Sequence, residues 1–319
     1  MTESVASSAI GHRGVMRAGL YRTTGVRGEG ARAWRAVRRI PVVPLAIIGL
    51  FVLFAAFAPL LAPYDPTRIA LPQKLTPPLF FEGGNPAYVL GTDALGRDVL
   101  SRLSWGARIS LTVSAAVVLL SSAVGLLIGL AAGYLGGRTD SFLMRFADGS
   151  MAFPGILMAL LFAISLGPGV STVILALSVL GWAAYARIVR GEVLRLRNLE
   201  FIVGARVVGA SPGRIMLTHL FPNVLDAWVV MITLQIGLVV LSEATLGFLG
   251  AGVPPPTPSW GSLVSDGRNF VDTAWWISFF PGLAIGLLVL CVNYLGDWLR
   301  DTLDPKLRRI RQPGEITTF

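Results

Sequence analysis

Long apolar stretches recur along this chain, and each is long enough to cross the hydrocarbon core of a bilayer. A spanning helix needs about 20 mostly apolar residues, and the stretches cover 44–61, 109–137, 149–186, 224–248 and 273–296. The third is too long for one helix, and Gly167-Pro168-Gly169 is a turn signal near its middle. We therefore predict six membrane-spanning helices in an all-α integral membrane protein.

The composition agrees with a protein that lies in lipid. Only 14% of the residues are charged and 54% are hydrophobic, whereas about a quarter of the residues in an ordinary soluble domain are charged. The stretch 44–61 follows a long basic tail and precedes no small-residue cleavage site. We therefore expect it to be a retained span rather than a signal peptide.

The positions of the basic residues predict the orientation. Most of the 27 Lys and Arg residues lie in the N-terminal tail, in 136–150, in 187–222 and after Asp297, and few lie in 63–108 or 249–272. Cytoplasmic loops carry the excess of Lys and Arg, so both termini are predicted to be cytoplasmic. The net charge of +9 is then explained by loops and by contact with anionic lipid headgroups, and we expect no nucleic-acid partner.

The predicted spans divide the chain into five segments. These are a basic, disordered cytoplasmic tail at 1–41, a first transmembrane helix at 42–62, an external loop with an amphipathic helix at 63–106, a five-helix core at 107–299 that includes the cytoplasmic loop 187–223, and a cytoplasmic C-terminal tail at 300–319.

No nucleotide or metal site is recognisable in the sequence. The two lysines, Lys74 and Lys306, stand outside any G-x-x-x-x-G-K-[ST] motif. A single cysteine, Cys291, and two histidines, His12 and His219, do not support a metal cluster or a disulfide framework. We predict a chain with no catalytic residue and no cofactor, so that any ATP and Mg²⁺ must be bound by partner subunits.

The loop 187–223 has the pattern of two helices separated by a glycine bend. Apolar residues recur at steps of three and four along a first amphipathic helix, namely Val193, Leu196, Leu199, Ile202 and Val203. That helix is predicted to end near Gly209. Such a loop can dock a soluble partner or lie on the lipid headgroups.

The second helix of this loop is predicted to be short and exposed. Ser211 caps it and Pro212 occupies its first position. Ile215 and Met216 form the apolar face that it presents, and Phe221-Pro222-Asn223 ends it.

Two further places are candidates for function. Glu243 is an ionisable residue toward the outer half of the fifth span, where a charge is costly and marks a functional site. We interpret it as lining the translocation pathway, or alternatively as a structural group paired with an arginine or a backbone amide. In the external segment, Thr92 or Asp93 is predicted to cap a helix that buries one apolar face and turns its charged residues toward water. The charged residues of this external collar are Asp93, Arg97, Asp98 and Arg102.

The sequence from Glu200 to Asn223 resembles the EAA loop of ABC-importer permeases. That loop reads approximately E-A-A, three residues, G, and later I-x-L-P, and four positions match it: Ala205, Gly209, Ile215 and Pro222. Val203 and Gly204 stand where Glu-Ala is usual, and Glu200 lies three residues too early. The resemblance implies that this loop couples the membrane helices to an ATPase without the usual glutamate.

Other motifs are similar to those of the C-type permease subunit of dipeptide and oligopeptide importers. They occur in order at 90–102, 140–154, 255–261, 280–284 and 295–305. Nickel permeases of the same group share most of them, so a nickel complex is the alternative substrate. The resemblance implies the MetI-like, type I importer fold in a bacterial inner membrane.

The resemblance also implies an assembly. Its expected members are a homologous B-type permease that completes a heterodimer, two cytoplasmic ABC ATPases and an external solute-binding protein. ATP-driven closure of the ATPases would move the spans between inward-open and outward-open states and import short peptides. The external collar would then either contact the binding protein or serve only as scaffold.

An ion-coupled secondary transporter and a channel are the rival classes. The first uses intramembrane ionisable groups and often inverted repeats, but Glu243 is the one deep ionisable residue in the predicted spans and no repeat is visible. A channel would leave the loop 187–223 unexplained.

Overall fold

The computed structural model describes residues 41–303 and is helical across this range. Within it, the β-type pairing is limited to an isolated bridge between Thr92 and Asp98. The predicted all-α class is confirmed. The tails predicted at 1–41 and 300–319 lie outside the described residues, except for Pro41 and 300–303.

The helices are numbered here in chain order. They are α1 Val42–Ala56, α2 Ala58–Leu61, α3 Val99–Leu135, α4 Gly137–Met151, α5 Gly155–Leu166, α6 Val170–Leu196, α7 Glu200–Val207, α8 Pro212–Phe248, α9 Trp260–Gly267 and α10 Trp276–Leu303. Short 3₁₀ turns occur at Leu71–Gln73 and Arg268–Phe270.

Four of these helices are long and apolar enough to cross a membrane, namely α3, α6, α8 and α10. Helices α4 and α5 meet at 82° and make a fifth span if they are counted together. The remaining predicted span corresponds to α1, an apolar helix of 15 residues. Each predicted span therefore coincides with an apolar helix.

The loop expected at 136–150 is wrong, because these residues form α4. Gly136 and Gly137 have φ of +65° and +55°, a region that glycine enters at little cost, and they turn the chain straight from α3 into α4. Ala147 and Met144 then pack on α6 beside Trp182. An apolar face against a neighbouring helix stabilises a helix where a loop was expected.

The turn predicted at Gly167-Pro168-Gly169 is confirmed. Helix α5 ends at Leu166 and α6 begins at Val170. Gly167 has a φ of +83°, so a side chain there would be strained.

The tightest helix contact is a stripe of glycines on α3 that lies against α6. An added Cβ at Gly125 would be 2.4 Å from the Cβ of Tyr185, and one at Gly129 would be 2.6 Å from the Cβ of Val189. At Gly133 it would be 2.7 Å from the Cβ of Val193. Small residues spaced by four allow two helix backbones to approach in a membrane, where packing rather than hydrophobic burial drives association.

The glycine stripe gives the bundle two distinct ends. Successive glycines of α3 meet successive turns of α6, so the two helices run in the same direction and finish together. The end at which α3 and α6 finish, next to the loop 187–223, is called the docking end. There, Arg190 of α6 forms a two-bond ion pair with Asp140 of α4. At the opposite collar end, where α3 begins, the loop 63–98 contacts α9 and the start of α10.

Within the described residues, the segments 136–150 and 187–222, predicted to share one side of the membrane, therefore lie at one end of the bundle, and the segments 63–108 and 249–272 lie at the other. Helix α3 has 37 residues, so at 1.5 Å per residue it separates the two ends by about 55 Å.

The stripe predicts an overpacking effect that depends on position. In Gly129→Ala the new methyl group would lie 2.6 Å from the Cβ of Val189 and 2.7 Å from the carbonyl oxygen of Ala186. We expect the free energy of unfolding to fall by about 1–3 kcal/mol, which would lower the thermal unfolding temperature of the purified protein in detergent. The matched control is Gly191→Ala on α6, where nothing lies within 4 Å. Alanine should be neutral or slightly stabilising there, and equal effects at both sites would contradict close packing.

Candidate functional site

The docking segment, residues 200–222, begins with α7 and a glycine turn. The amide of Gly209 donates to the carbonyl of Arg206, and the amide of Ala210 donates to the carbonyl of Ala205. With a φ of +79° at Gly209, this is the Schellman arrangement that commonly ends a helix. The predicted glycine bend is confirmed and has a defined direction.

After this turn the chain starts a helix that does not stop. The Ser211 hydroxyl accepts a 3.4 Å hydrogen bond from the amide of Arg214, and Pro212 occupies the first turn, as predicted. The expected end at 221–223 is wrong, because α8 continues to Phe248. Pro222 lacks an amide proton and its ring crowds the carbonyl four residues earlier. The helix widens to a π turn at Ile215–Leu220 just before it, so the chain passes the proline without breaking.

The side of this segment that faces the bundle differs from the prediction. Ile202, Ile215 and Leu220 are completely buried in a cluster with Leu130 of α3 and Val193 of α6. The presentation of Ile215 to a partner is therefore wrong, and Met216 is only partly exposed. The reason is that the segment folds back onto the ends of α3 and α6. Ile215 and Met216 lie on the face of the segment that packs against these helices.

The first amphipathic helix predicted in the loop 187–223 is formed by two separate helices in the structure. Helix α6 ends at Leu196, α7 begins at Glu200, and the three residues between them turn the chain. Leu199 and Val203, expected on the apolar face, are exposed, and so is Glu200.

The outward side of the docking segment carries an aliphatic patch. Val207 and Val208 are 81% and 83% exposed, and Leu217 is 64% exposed. A patch of this kind on a firmly packed base is typical of a protein-binding surface.

Two arginines of this region bind the end of α3. Nη1 of Arg197 donates a 2.9 Å hydrogen bond to the carbonyl oxygen of Gly133. Cζ of Arg206 lies 5.0 Å from the ring centroid of Tyr134, within the range of a cation–π interaction.

The collar is held by a buried ion-pair network. Oδ2 of Asp93 accepts from Nε of Arg97 at 2.6 Å and from Nη1 of Arg102 at 2.5 Å. Both arginines also reach Oδ2 of Asp266 on α9, at 3.3 Å and 3.0 Å. Asp93 and Arg102 are almost fully buried. The expectation that Arg97, Asp98 and Arg102 face water is therefore wrong, because both arginines pair with Asp266 of α9 and Asp98 is buried at the start of α3.

The residue that caps the helix at the collar lies five or six positions later than expected. Oδ2 of Asp98 accepts from the amide of Ser101 at 2.8 Å and from its hydroxyl at 2.6 Å, so Asp98 rather than Thr92 or Asp93 caps α3. Burial raises the pKa of Asp98, and the two bonds from Ser101 oppose that shift.

Glu243 lies in the interior of the chain. It is 1% exposed, and among the described residues neither carboxyl oxygen has a hydrogen-bond partner of ordinary geometry. The hydroxyls of Ser110 on α3 and Ser259, the cap of α9, are its nearest polar neighbours. In this conformation the carboxyl group faces the contact of α8 with α3 and α9, not an open surface.

Comparison with known proteins gives this geometry a family. Residues 125–309 match the family described as the inner membrane component of binding-protein-dependent transport systems, and residues 30–78 match the N-terminal transmembrane domain of oligopeptide transport permease C. The chain belongs to this permease family.

Curated relatives of the permease cover most of its length. The di/tripeptide transport system permease protein of Pseudomonas aeruginosa is 42% identical over 79% of this chain and 83% of the relative. The dipeptide transport system permease protein of Escherichia coli K12 is 44% identical over 79% of this chain and 84% of the relative. Such relatives, with the apolar helices, identify a multi-pass protein of the inner membrane.

The fold is shared with a solved transporter. The permease superposes with a TM-score of 0.54 on a chain of the inward-facing MetNI methionine ABC transporter, at 18% identity, over 63% of this chain and 96% of that chain. The predicted MetI-like fold is confirmed.

Three features of the permease were not found from the sequence. Asp266 is separated from the collar by more than 160 residues, and nothing in its surroundings signals the pairing. Arg197 was counted only as a loop charge. The spacing Gly125-x₃-Gly129-x₃-Gly133 is visible in the sequence and could have predicted the α3–α6 contact.

The collar network predicts that a single substitution at Asp93 strongly lowers the free energy of unfolding. Asp93→Asn removes the charge that Arg97 and Arg102 share, and leaves the buried Arg102 with only the half-exposed Asp266. Breaking a buried pair costs on the order of 3 kcal/mol, which a thermal unfolding scan in detergent would detect. The matched control is Asp148→Asn, whose pair with Arg187 is solvent-exposed, where we expect less than about 1 kcal/mol. Similar losses in both variants would contradict a structural collar network.

Proposed function

We propose that this permease forms half of the translocation path of an ATP-driven importer of short peptides. Support comes from the relatives named as di/tripeptide and dipeptide permeases and from the match to oligopeptide transport permease C. The same names favour peptides over the nickel complex that was the alternative substrate.

The observation that carries the proposal is the docking segment. It is anchored by the buried Ile202, Ile215 and Leu220, and it turns the aliphatic patch of Val207, Val208 and Leu217 outward at one end of the spanning helices. A secondary transporter or a channel would leave this surface unexplained. An importer whose ATP is hydrolysed by separate subunits needs one.

We propose that the patch enters a cleft in a cytoplasmic ABC ATPase, which binds ATP and Mg²⁺. Val203 stands where the family usually has a glutamate, and it is exposed beside Val207. The contact is therefore mainly aliphatic, and Glu200 at the start of α7 is the nearest acidic group of the segment. The permease itself performs no covalent chemistry.

A second permease subunit is the proposed cover for α8. This helix is the least buried of the four long spanning helices, and Leu238 and Leu241 are exposed on it. A homologous B-type subunit packed there would place the pathway between the two chains. Peptide would be delivered by an external binding protein at the collar end and released at the docking end as the spans alternate between two states.

In this arrangement Glu243 acts from behind the pathway. Its carboxyl group is buried where α8 meets α3 and α9, so we propose that it affects transport through the position of α8.

Docking is tested by placing charge on the patch. In Val207→Asp/Val208→Asp two highly exposed valines become carboxylates, and each valine buried in a cleft is worth about 1.5–3 kcal/mol. We expect normal insertion and folding but loss of the ATPases on co-purification. The matched control is Ile69→Asp/Leu71→Asp, two exposed apolar residues of the collar end, which should retain the ATPases. Retention by the valine variant would remove the docking assignment.

Transport is tested with the reconstituted complex. Proteoliposomes that contain both permeases and the ATPases, with the binding protein and ATP, should accumulate a labelled dipeptide. The same vesicles should not accumulate ⁶³Ni²⁺ complexes, and a hydrolysis-deficient ATPase should abolish uptake. Nickel accumulation without peptide uptake would make the alternative substrate correct.

A further inference from the structure

Arg197 occupies the junction between the last spanning turn of α6 and the docking segment. It follows Leu196 directly and precedes α7 by three residues. We propose that Arg197 is a positioning residue that fixes the docking segment to the C-terminal end of α3, so that the two move as one body during transport. This inference rests on the proposed docking function and adds a residue to it.

The C-terminal end of α3 has backbone carbonyl groups without a partner in the helix, and the guanidinium group of Arg197 donates to one of them. The last four carbonyl groups of a helix have no partner within the helix, and the carbonyl of Gly133 is one of them. Arg197 donates to this oxygen at 2.9 Å, and the same Nη1 would lie 3.3 Å from a Cβ at Gly136. A positive charge is also favoured at this end by the helix dipole.

A second contact ties α7 itself to the same place. The guanidinium of Arg206 lies over the ring of Tyr134, the residue that follows Gly133. Arg206 is exposed, so it contacts Tyr134 at the protein surface. Removal of this contact should leave the buried cluster around Ile202 and Ile215 packed. The two arginines thus hold the docking segment before and within α7.

These contacts are separate from those that hold the spans together. The α3–α6 contact is made by the glycine stripe, and its last member, Gly133, meets Val193, one turn before Arg197. Loss of the arginine contact should therefore loosen the docking segment and leave the spans packed. Arg197 is half-buried and bonded inward, whereas the patch that would meet the ATPase is formed by Val207, Val208 and Leu217.

Helix α3 connects the arginine contact to the opposite end of the bundle. It continues without interruption from Gly133 to the collar, where Ser101 and Arg102 are fixed by Asp98 and Asp93. A docking segment attached to α3 moves a helix that extends to the opposite end of the bundle. The buried cluster also joins the segment to Leu130 of α3, and the arginine contacts add a polar link at the last turn of that helix.

The test measures how much peptide is moved for each ATP hydrolysed. Arg197→Gln and Arg197→Lys are compared in the full complex, reconstituted with the binding protein and a dipeptide. We expect Arg197→Gln to lower the ratio of peptide imported to ATP hydrolysed roughly five-fold or more, the low end of measured couplings between sites. Co-purification of the ATPases and the thermal unfolding temperature should remain unchanged. Arg197→Lys keeps a donor and a charge and should recover part of the ratio.

Two further variants keep the result interpretable. Arg206→Gln removes the contact with Tyr134 at an exposed position and should lower the ratio in the same direction without affecting folding. Arg195→Gln is the matched control, because Arg195 pairs with Glu192 and is exposed, and it should transport like the wild type.

The outcomes separate this inference from the proposed function. A normal ratio in both Arg197→Gln and Arg206→Gln, with a coupled wild type, overturns the positioning role alone. Loss of the ATPases from Arg197→Gln also overturns it, because the residue would then belong to docking or folding. A wild-type complex that binds no ATPase, or that transports without ATP, overturns the proposed function instead.

Discussion

Close approach of α3 and α6 is the constraint on which the rest of the fold depends. Polypeptide in lipid gains little from burying apolar surface, so helices associate where their backbones fit. Glycines at every fourth position of α3 remove the side chains that would hold α6 away. Once these helices are in contact and parallel, α4, α7 and the start of α8 are assembled around their common end. The collar is built at the other end, where α3 begins.

The two ends are stabilised by different chemistry. The collar is fixed by two carboxylates and two arginines, of which Asp93 and Arg102 are almost fully buried, so a change in either of these two leaves the other uncompensated. The docking end is fixed by aliphatic burial beneath α7, with arginines only at its margin. A rigid collar and a docking surface attached by a few separable contacts suit a protein in which one end must transmit movement.

The sequence was sufficient for the membrane-spanning helices and insufficient for α4, for the continuation of α8 and for the contacts between helices. The length of the apolar stretches predicted every span, and turn chemistry predicted Gly209, Ser211 and the break at Gly167, because these signals are local. The orientation of Ile215 was predicted wrongly because periodicity identifies an apolar face without saying what covers it. The collar charges were assigned to water for the same reason, since their cover, α9, lies far along the chain. Glu243 was recognised as unusual, but its depth inside the chain depended on packing that no local pattern records.

The π turn at Ile215–Leu220 has a consequence for how related chains can differ in length. A π turn accommodates one residue more than the α-helix around it, and each residue of an α-helix corresponds to a rotation of about 100°. Deletion of one residue between 215 and 220 would restore regular α geometry. The chain before the deletion would then be rotated by that angle relative to the part of α8 that follows it. The glycine turn and the valines would then point away from their present direction, while Trp228 kept its hydrogen bond to the carbonyl of Ser122. The number of residues in this short stretch therefore sets the direction in which the docking surface faces.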